Sequence, residues 1–96
     1  MAYVVAATWT AAPGKEELVA SCLASLRDAS RREEQCLMYI IHHSLENPRL
    51  FFIYEQYTNE AAFNRHVTSA HFLEYGRKLA IPLLEHRERS LFEILD

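Results

Sequence analysis

Two short apolar segments joined by a tight turn constrain the fold of this chain more than any other feature. Residues 36–45, CLMYIIHHSL, and residues 50–57, LFFIYEQY, are rich in the β-branched and aromatic residues typical of strands. Between them, ENPR contains Pro48, which stops a strand. Because side chains alternate along a strand, successive apolar residues place apolar groups on both faces of this hairpin. The hairpin therefore needs a cover on each side.

The rest of the chain supplies further strands and helices in a recognisable order. Apolar residues at alternating or helical spacing predict a strand over 2–11, a helix over 15–30, a helix from Glu60, an interruption at TSA, a helix from about His71 to Leu84 and a strand over 85–94. The order is β-α-β-β-α-β. It predicts one α+β, ferredoxin-like domain over residues 1–96, with a four-stranded antiparallel sheet and its helices on one face.

Helices on one face leave the second apolar face of such a sheet uncovered. An exposed apolar surface of that size is typical of an association site. The same face of a second copy, related by a two-fold axis, would cover it. We therefore expect a homodimer in which two sheets pack face to face.

Charge and composition argue against several classes of partner. The 96 residues carry a net charge of −3 with no basic stripe, so we expect no nucleic-acid partner. No apolar run reaches the ~18 residues of a membrane span, and the start of the chain lacks the basic segment of a secretion signal. Cys22 and Cys36 lie among apolar residues, and we interpret them as small buried side chains in a reducing cytoplasm.

The segment EAAFNRHVTSAHFLEYG, residues 60–76, carries the candidate chemistry. It places His66 and His71 five positions apart beside the aromatic Phe63 and Phe72. An imidazole can accept or donate a proton near neutral pH. Each histidine has a second interpretation: His66 as a hydrogen-bonded core residue, and His71 as a cap or hinge at the helix break. Their spacing lacks the glutamate and third ligand of a zinc helix, so we expect no metal.

Glu55 is an acid within an apolar strand. It could form a buried ion pair with an arginine, or it could orient a histidine or a substrate hydroxyl. The aromatic Trp9, Tyr39 and Tyr57 are typical of a core or an interface. RREEQ, residues 31–35, is interpreted as a solvated helix end.

Four segments carry a resemblance to a known family: PGKEEL after the first strand, EEQCLMYII entering the second, FFIYEQYTNEAAFNRH from the third strand into the helix, and SAHF after it. In their order and spacing the chain resembles the antibiotic biosynthesis monooxygenase family of dimeric α/β barrels over nearly its whole length. It departs from the family pattern at Gln35, where a glycine is frequent, at Tyr57, where a tryptophan is common, and at Ala70, where a proline is usual.

The resemblance implies several activities and removes one. The family includes quinol and polyketide-phenol monooxygenases that need no cofactor, haem-degrading enzymes and an isomerase of a signalling sugar. Ala7, Gly76 and His66 replace the haem-site residues, so haem degradation is not expected. The resemblance also places His66 at a pocket between helices and sheet, with Trp9 facing it.

The leading hypothesis is a cofactor-independent monooxygenase that acts on a small phenolic, quinol or polyketide-type substrate with dioxygen. We expect His66, or secondly His71, to remove a proton, with Glu55 as an orienting group. The predicted substrate contacts are Trp9, Tyr39, Tyr57, Phe63 and Phe72. The alternatives are a non-redox isomerase or tautomerase of the same family and a non-catalytic dimeric ligand-binding or stress protein. No cofactor or membrane partner is expected.

Overall fold

A computed structural model describes residues 2–95. Its elements are β1 (Tyr3–Ala11), α1 (Glu16–Ser30), β2 (Cys36–His43), β3 (Leu50–Tyr57), α2 (Glu60–Val67), a π-helix (Phe72–Ala80), a 3-10 turn (Ile81–Leu83) and β4 (Leu84–Glu93). The four strands form one antiparallel sheet in the order β2-β3-β1-β4. The predicted α+β, ferredoxin-like fold is confirmed.

Local sequence explains where the two α-helices begin. In α1, Glu16 and Glu17 occupy the first turn, where carboxylates are favourable beside the free backbone N–H groups. In α2, the side chain of Asn59 accepts a hydrogen bond of 2.9 Å from the backbone N–H of Ala62. The positions of both helix starts follow from these residues.

One face of the sheet packs against the helices and holds most of the core. Odd-numbered residues of β1 and β3 point to this face, and Val5, Trp9, Phe51 and Ile53 are buried there. Glu55 follows the same alternation and is buried among apolar neighbours. The fold therefore places a carboxyl group inside the covered side of the sheet.

The opposite face of the sheet carries exposed apolar side chains. Met38 and Ile40 of β2 are 46% and 38% exposed, and Phe92 of β4 is 56% exposed. Phe52 and Tyr54 of β3 are half-buried between these strands. We call this surface the open face. The expected homodimer would cover it and stays a prediction.

The last helical segment differs from the continuous helix predicted to Leu84. A π-helix replaces it, ending where the N–H of Ile81 donates to the carbonyl of Gly76, five residues earlier. Leu79, which lies in this π-helix, is 41% exposed. Pro82 falls in the following 3-10 turn, and β4 begins at Leu84. The predicted break after α2 is confirmed.

The two cysteines are half-buried rather than fully buried, and both are free thiols. Burial raises the pKa of Cys22, and burial together with nearby acidic groups raises that of Cys36 to about 12. Both side chains therefore stay protonated at neutral pH. Across residues 2–95, no helix combines the length and apolar character needed to cross a bilayer.

Candidate active site

An open cavity of about 700 Å³ lies on the helix-covered side of the sheet. β1 and β3 contribute Trp9 and Glu55, and α2 contributes Phe63 and His66, which are neighbours on one helix face because they are three residues apart. The π-helix contributes Phe72. Two polar groups and three aromatic rings therefore meet in one space.

Three arginines complete the wall of the cavity. Arg77 comes from the π-helix, and Arg87 and Arg89 come from β4. The two β4 arginines pair in register with Trp9 and Ala7 of β1, which places them on the helix-covered side. The cavity therefore combines aromatic and cationic surfaces.

His66 is 1% exposed and lies at the inner end of the cavity. Its Nδ1 lies 2.7 Å from Oε2 of Glu33, and its Nε2 lies 3.7 Å from Oε1 of Glu55. The rings of Tyr57 and Phe72 pack around it at centroid distances of 5.4 and 5.3 Å. The imidazole is therefore fixed between two carboxyl groups and by aromatic packing.

Glu33 is ionised at neutral pH and determines the tautomer of His66. Burial raises the pKa of the Glu33 carboxyl, but hydrogen bonds from His66 and His71 to the same oxygen outweigh burial and leave the pKa lowered. An ionised carboxylate only accepts hydrogen bonds, so Nδ1 of His66 must be the donor. In the neutral imidazole, Nε2 is then free to accept a proton.

Glu55 has the opposite electrostatic character. Burial raises the pKa of its carboxyl, although the charges of His66 and Arg89 and a hydrogen bond from Tyr57 oppose the shift. The Tyr57 hydroxyl donates to Oε1 of Glu55 at 2.7 Å, and burial raises the pKa of this phenol, which keeps it a donor. Glu55 can therefore hold a proton at a higher pH than Glu33 can.

Comparison with known proteins assigns the family. The family model for antibiotic biosynthesis monooxygenases matches residues 2–78. The crystal structure of PA3566 from Pseudomonas aeruginosa is similar, with 34% sequence identity, a TM-score of 0.90, and coverage of 99% of this chain and 95% of that chain. The chain belongs to the antibiotic biosynthesis monooxygenase family.

Other solved structures extend the comparison. The protein SO0527 from Shewanella oneidensis is 27% identical with a TM-score of 0.88, covering 95% of this chain and 88% of that one. A structure described as an antibiotic biosynthesis monooxygenase has a TM-score of 0.90 at 21% identity, covers each chain fully, and supports the fold alone. No functionally curated protein is similar enough in sequence to match the chain.

The structure of this family member brings together five of the residues singled out in the sequence. Trp9, Glu55, Phe63, His66 and Phe72 line the cavity. His71 is placed differently, because its Nε2 donates to the same oxygen of Glu33 that His66 uses. It contacts the cavity histidine through this shared carboxylate.

Tyr39 and Tyr57, predicted as substrate contacts, are buried in the core and are not among the residues that line the cavity. Alternation on β2 and β3 directs both rings beneath the helices, where they are 3% and 0% exposed. Tyr39 packs against His66 at 5.7 Å between ring centroids, and Tyr57 bonds Glu55. Both tyrosines hold the polar groups of the cavity in place.

The sequence interpretation missed Glu33 and three arginines. Glu33 falls in the RREEQ segment predicted to be solvated, yet its side chain is only 18% exposed because both histidines fold over it. No local pattern separates it from the exposed Glu34. For Arg87 and Arg89, alternation along the last strand was a usable signal, since it places both on one face.

Among residues 2–95, Glu55 does not form the ion pair with an arginine that its sequence context suggested. Its partners are the Tyr57 hydroxyl, at hydrogen-bond distance, and His66, at a longer distance. Glu33, His66 and His71 each offer one ligand atom, and these atoms lie within 4.8 Å of one another. This nitrogen and oxygen set could hold a transition metal such as zinc or iron. Its donors already bond one another.

Proposed function

We propose that the chain is a cofactor-independent monooxygenase that acts on a small phenolic, quinol or polyketide-type substrate with dioxygen. The observation that carries the proposal is the buried His66, whose Nδ1 donates to Glu33 while its Nε2 is left as a proton acceptor at the inner end of the cavity. Membership of the antibiotic biosynthesis monooxygenase family supports the same reaction class.

In the proposed reaction, Nε2 of His66 removes a proton from the substrate. The imidazolium that forms is stabilised by the ionised Glu33 on its other nitrogen, as in other acid–base pairs of histidine and carboxylate. The electron-rich substrate anion then reduces dioxygen. For an anthrone-type substrate, a CH₂ group and O₂ give a ketone C=O and water, so one oxygen atom enters the product and the other leaves as water.

Trp9, Phe63 and Phe72 would hold the flat ring of the substrate against the inner end of the cavity. Their apolar surfaces also limit the access of water to the anion, which favours reaction with oxygen over reprotonation. In this proposal Tyr57 and Tyr39 position the acid–base groups.

The test measures oxygen uptake with a panel of hydroquinones and anthrones. His66→Ala should lower the rate by about 10²- to 10⁴-fold, the usual range for loss of a general base. His71→Ala should keep most of the rate, since Glu33 still bonds His66. His86→Ala, at an exposed position on β4, is the matched control. A His66→Ala protein that is folded by circular dichroism and as active as wild type contradicts the assignment.

An isomerase or tautomerase is the second candidate, and one observation favours it. Glu55 and His66 face the same cavity, and the raised pKa of Glu55 lets one group donate a proton while the other accepts one. Incubation of a ketone substrate in D₂O under nitrogen separates the candidates. Deuterium incorporation or isomerisation without oxygen supports this reaction, and strict oxygen dependence supports the monooxygenase.

We also propose that two copies associate through the open face. The apolar side chains Met38, Ile40 and Phe92 support this, because an apolar surface that spans outer and inner strands is costly to leave in water. The arrangement leaves the helix-covered cavity of each copy on the outside of the paired sheets.

A further inference from the structure

The cavity wall carries more positive charge than its neighbours neutralise. Within residues 2–95, no carboxylate lies within 4.0 Å of Arg77, Arg87 or Arg89. The acids of the wall are Glu55 and Glu88. Glu88 bonds His86 at 3.1 Å. The whole chain has a net charge of −3, so this concentration of arginines is local.

The arginines occupy the outer part of the cavity, and the proton acceptor occupies the inner part. All three arginines are exposed, whereas His66 is buried. The guanidinium of Arg89 lies over the ring of Phe63, 5.2 Å from its centroid, which is the geometry of a cation–π contact. A ligand that fills the cavity would therefore meet aromatic rings first at its inner end and guanidinium groups at its outer end.

We infer that the substrate of this cavity is an aromatic molecule that also carries an anionic oxygen group, such as a carboxylate, at the end remote from the reacting hydroxyl. The planar guanidinium of arginine offers paired N–H donors that match such oxygens. Three of them at one mouth would select an anion over a neutral analogue. The inference rests on the proposed function only in placing the reacting end of the ring at His66.

Two ligands of one shape test the charge requirement. Isothermal titration calorimetry would compare 6-hydroxy-2-naphthoate with 6-hydroxy-2-naphthamide, which carry the same ring with the hydroxyl at the opposite end from the carboxylate or amide and differ in charge. We expect the carboxylate to bind at least about tenfold tighter at low salt. Because the arginines are exposed, the preference should shrink as ionic strength rises to about 1 M.

Arginine variants test which residues produce the preference for the carboxylate ligand. Arg87→Gln combined with Arg89→Gln should bring the two ligands to within about twofold of each other. Lys78→Gln removes one positive charge from the same π-helix as Arg77, but Lys78 pairs with Glu74 and lies outside the cavity lining, so it should keep the wild-type ratio. Circular dichroism checks that every variant is folded.

Three results would overturn the inference: equal binding of the two ligands by wild type, an unchanged ratio in the double variant, or no binding of either ligand at millimolar concentration. The experiment needs no turnover, which keeps it separate from the proposed function. A carboxylate preference without oxygen uptake on any substrate would sustain the anion site and count against the monooxygenase. Turnover of neutral and anionic substrates at equal KM would support the monooxygenase and count against the anion site.

Discussion

A single carboxylate oxygen of Glu33 accepts hydrogen bonds from two imidazoles, and this contact sets the chemistry of the site. Because Nδ1 of His66 is committed to Glu33, Nε2 is the nitrogen that remains to exchange protons. The sequence singled out His66 through its place in residues 60–76 and through the family resemblance. Glu33 was not identifiable in this way, since its role arises from contacts with residues more than thirty positions away.

Glu33 and its histidines should make stability depend on pH in a defined direction. The pKa of Glu33 is lowered in the folded state, so its contribution is full above the ordinary glutamate pKa of about 4.3 and is lost as pH falls through the lower folded value. Glu33→Gln should therefore reduce the free energy of unfolding by about 1.5–3 kcal/mol at pH 7, the range for hydrogen bonds to a charged group. The difference should shrink in acid.

Urea unfolding between pH 3 and pH 8 measures this difference, with the exposed Glu34→Gln as control.

Glu55→Gln should change stability with pH in the opposite direction. The pKa of Glu55 is raised, so its protonated form favours the folded state and stability is lost as pH rises through that pKa. In the variant, the glutamine oxygen still accepts a hydrogen bond from Tyr57. The free energy of unfolding of Glu55→Gln, relative to wild type, should therefore increase with rising pH. An equal Glu33→Gln effect at pH 3 and pH 7 would contradict the linkage.

The π-helix contributes Phe72, Leu73 and Arg77 to the wall of the cavity. The ring of Phe72 lies over Gly76, and a Cβ at position 76 would come within 3.1 Å of two ring carbons. The absence of a side chain therefore allows the ring to take its place in the wall. π-helical turns are frequent at functional sites, in agreement with this position.

Gly76→Ala should displace the Phe72 ring and weaken ligand binding several-fold, measured by calorimetry or as a raised KM. Stability should change little, because the gain of about 0.5–1 kcal/mol from replacing a helical glycine offsets the crowding. Gly14→Ala is the contrasting control: its φ of 80° is unfavourable for a residue with a side chain, but a Cβ added there would have no atom within 4 Å. That variant should lose stability and keep affinity. Unchanged affinity in Gly76→Ala would show that Phe72 moves elsewhere.

The sequence predicted the break between the last two helices but not the type of the second. TSA carries polar and small residues, and α2 ends at Val67 just before it. The same residue types form α-helices and π-helices, so composition does not distinguish the two. The contact of the Phe72 ring with Gly76 inside this π-helix is likewise a feature of packing that composition does not reveal.

For the whole molecule, the order of elements and the alternation of side chains were sufficient to predict the sheet and both of its apolar faces. The cavity was less accessible to such reasoning. It is built from β1, β3, α2, the π-helix and β4, and its volume depends on how far these elements stand apart. Periodicity shows on which face of an element a residue lies, but it does not determine the distance between elements.

The open face leads to a prediction about assembly. Light scattering at micromolar concentration should give a particle of twice the 11.2 kDa chain mass. Ile40→Glu, on the edge strand β2 of the open face, should yield monomers, since a carboxylate would be buried without a partner. Leu18→Glu is the control, because Leu18 is similarly exposed but belongs to α1 on the other side. A wild-type protein that stays monomeric would exclude this role for the face.

The central position of β1 also bears on the stage of folding at which the cavity is complete. β1 pairs with β3 on one edge and with β4 on the other, and Trp9 faces Arg87 although the two lie at opposite ends of the chain. Contacts between such distant segments close large loops and form slowly. A folding chain can pack its hairpin and helices and still lack the arginine side of its cavity until β4 docks. The β4 arginines, and with them the proposed recognition of an anion, are therefore in place only once the sheet is complete.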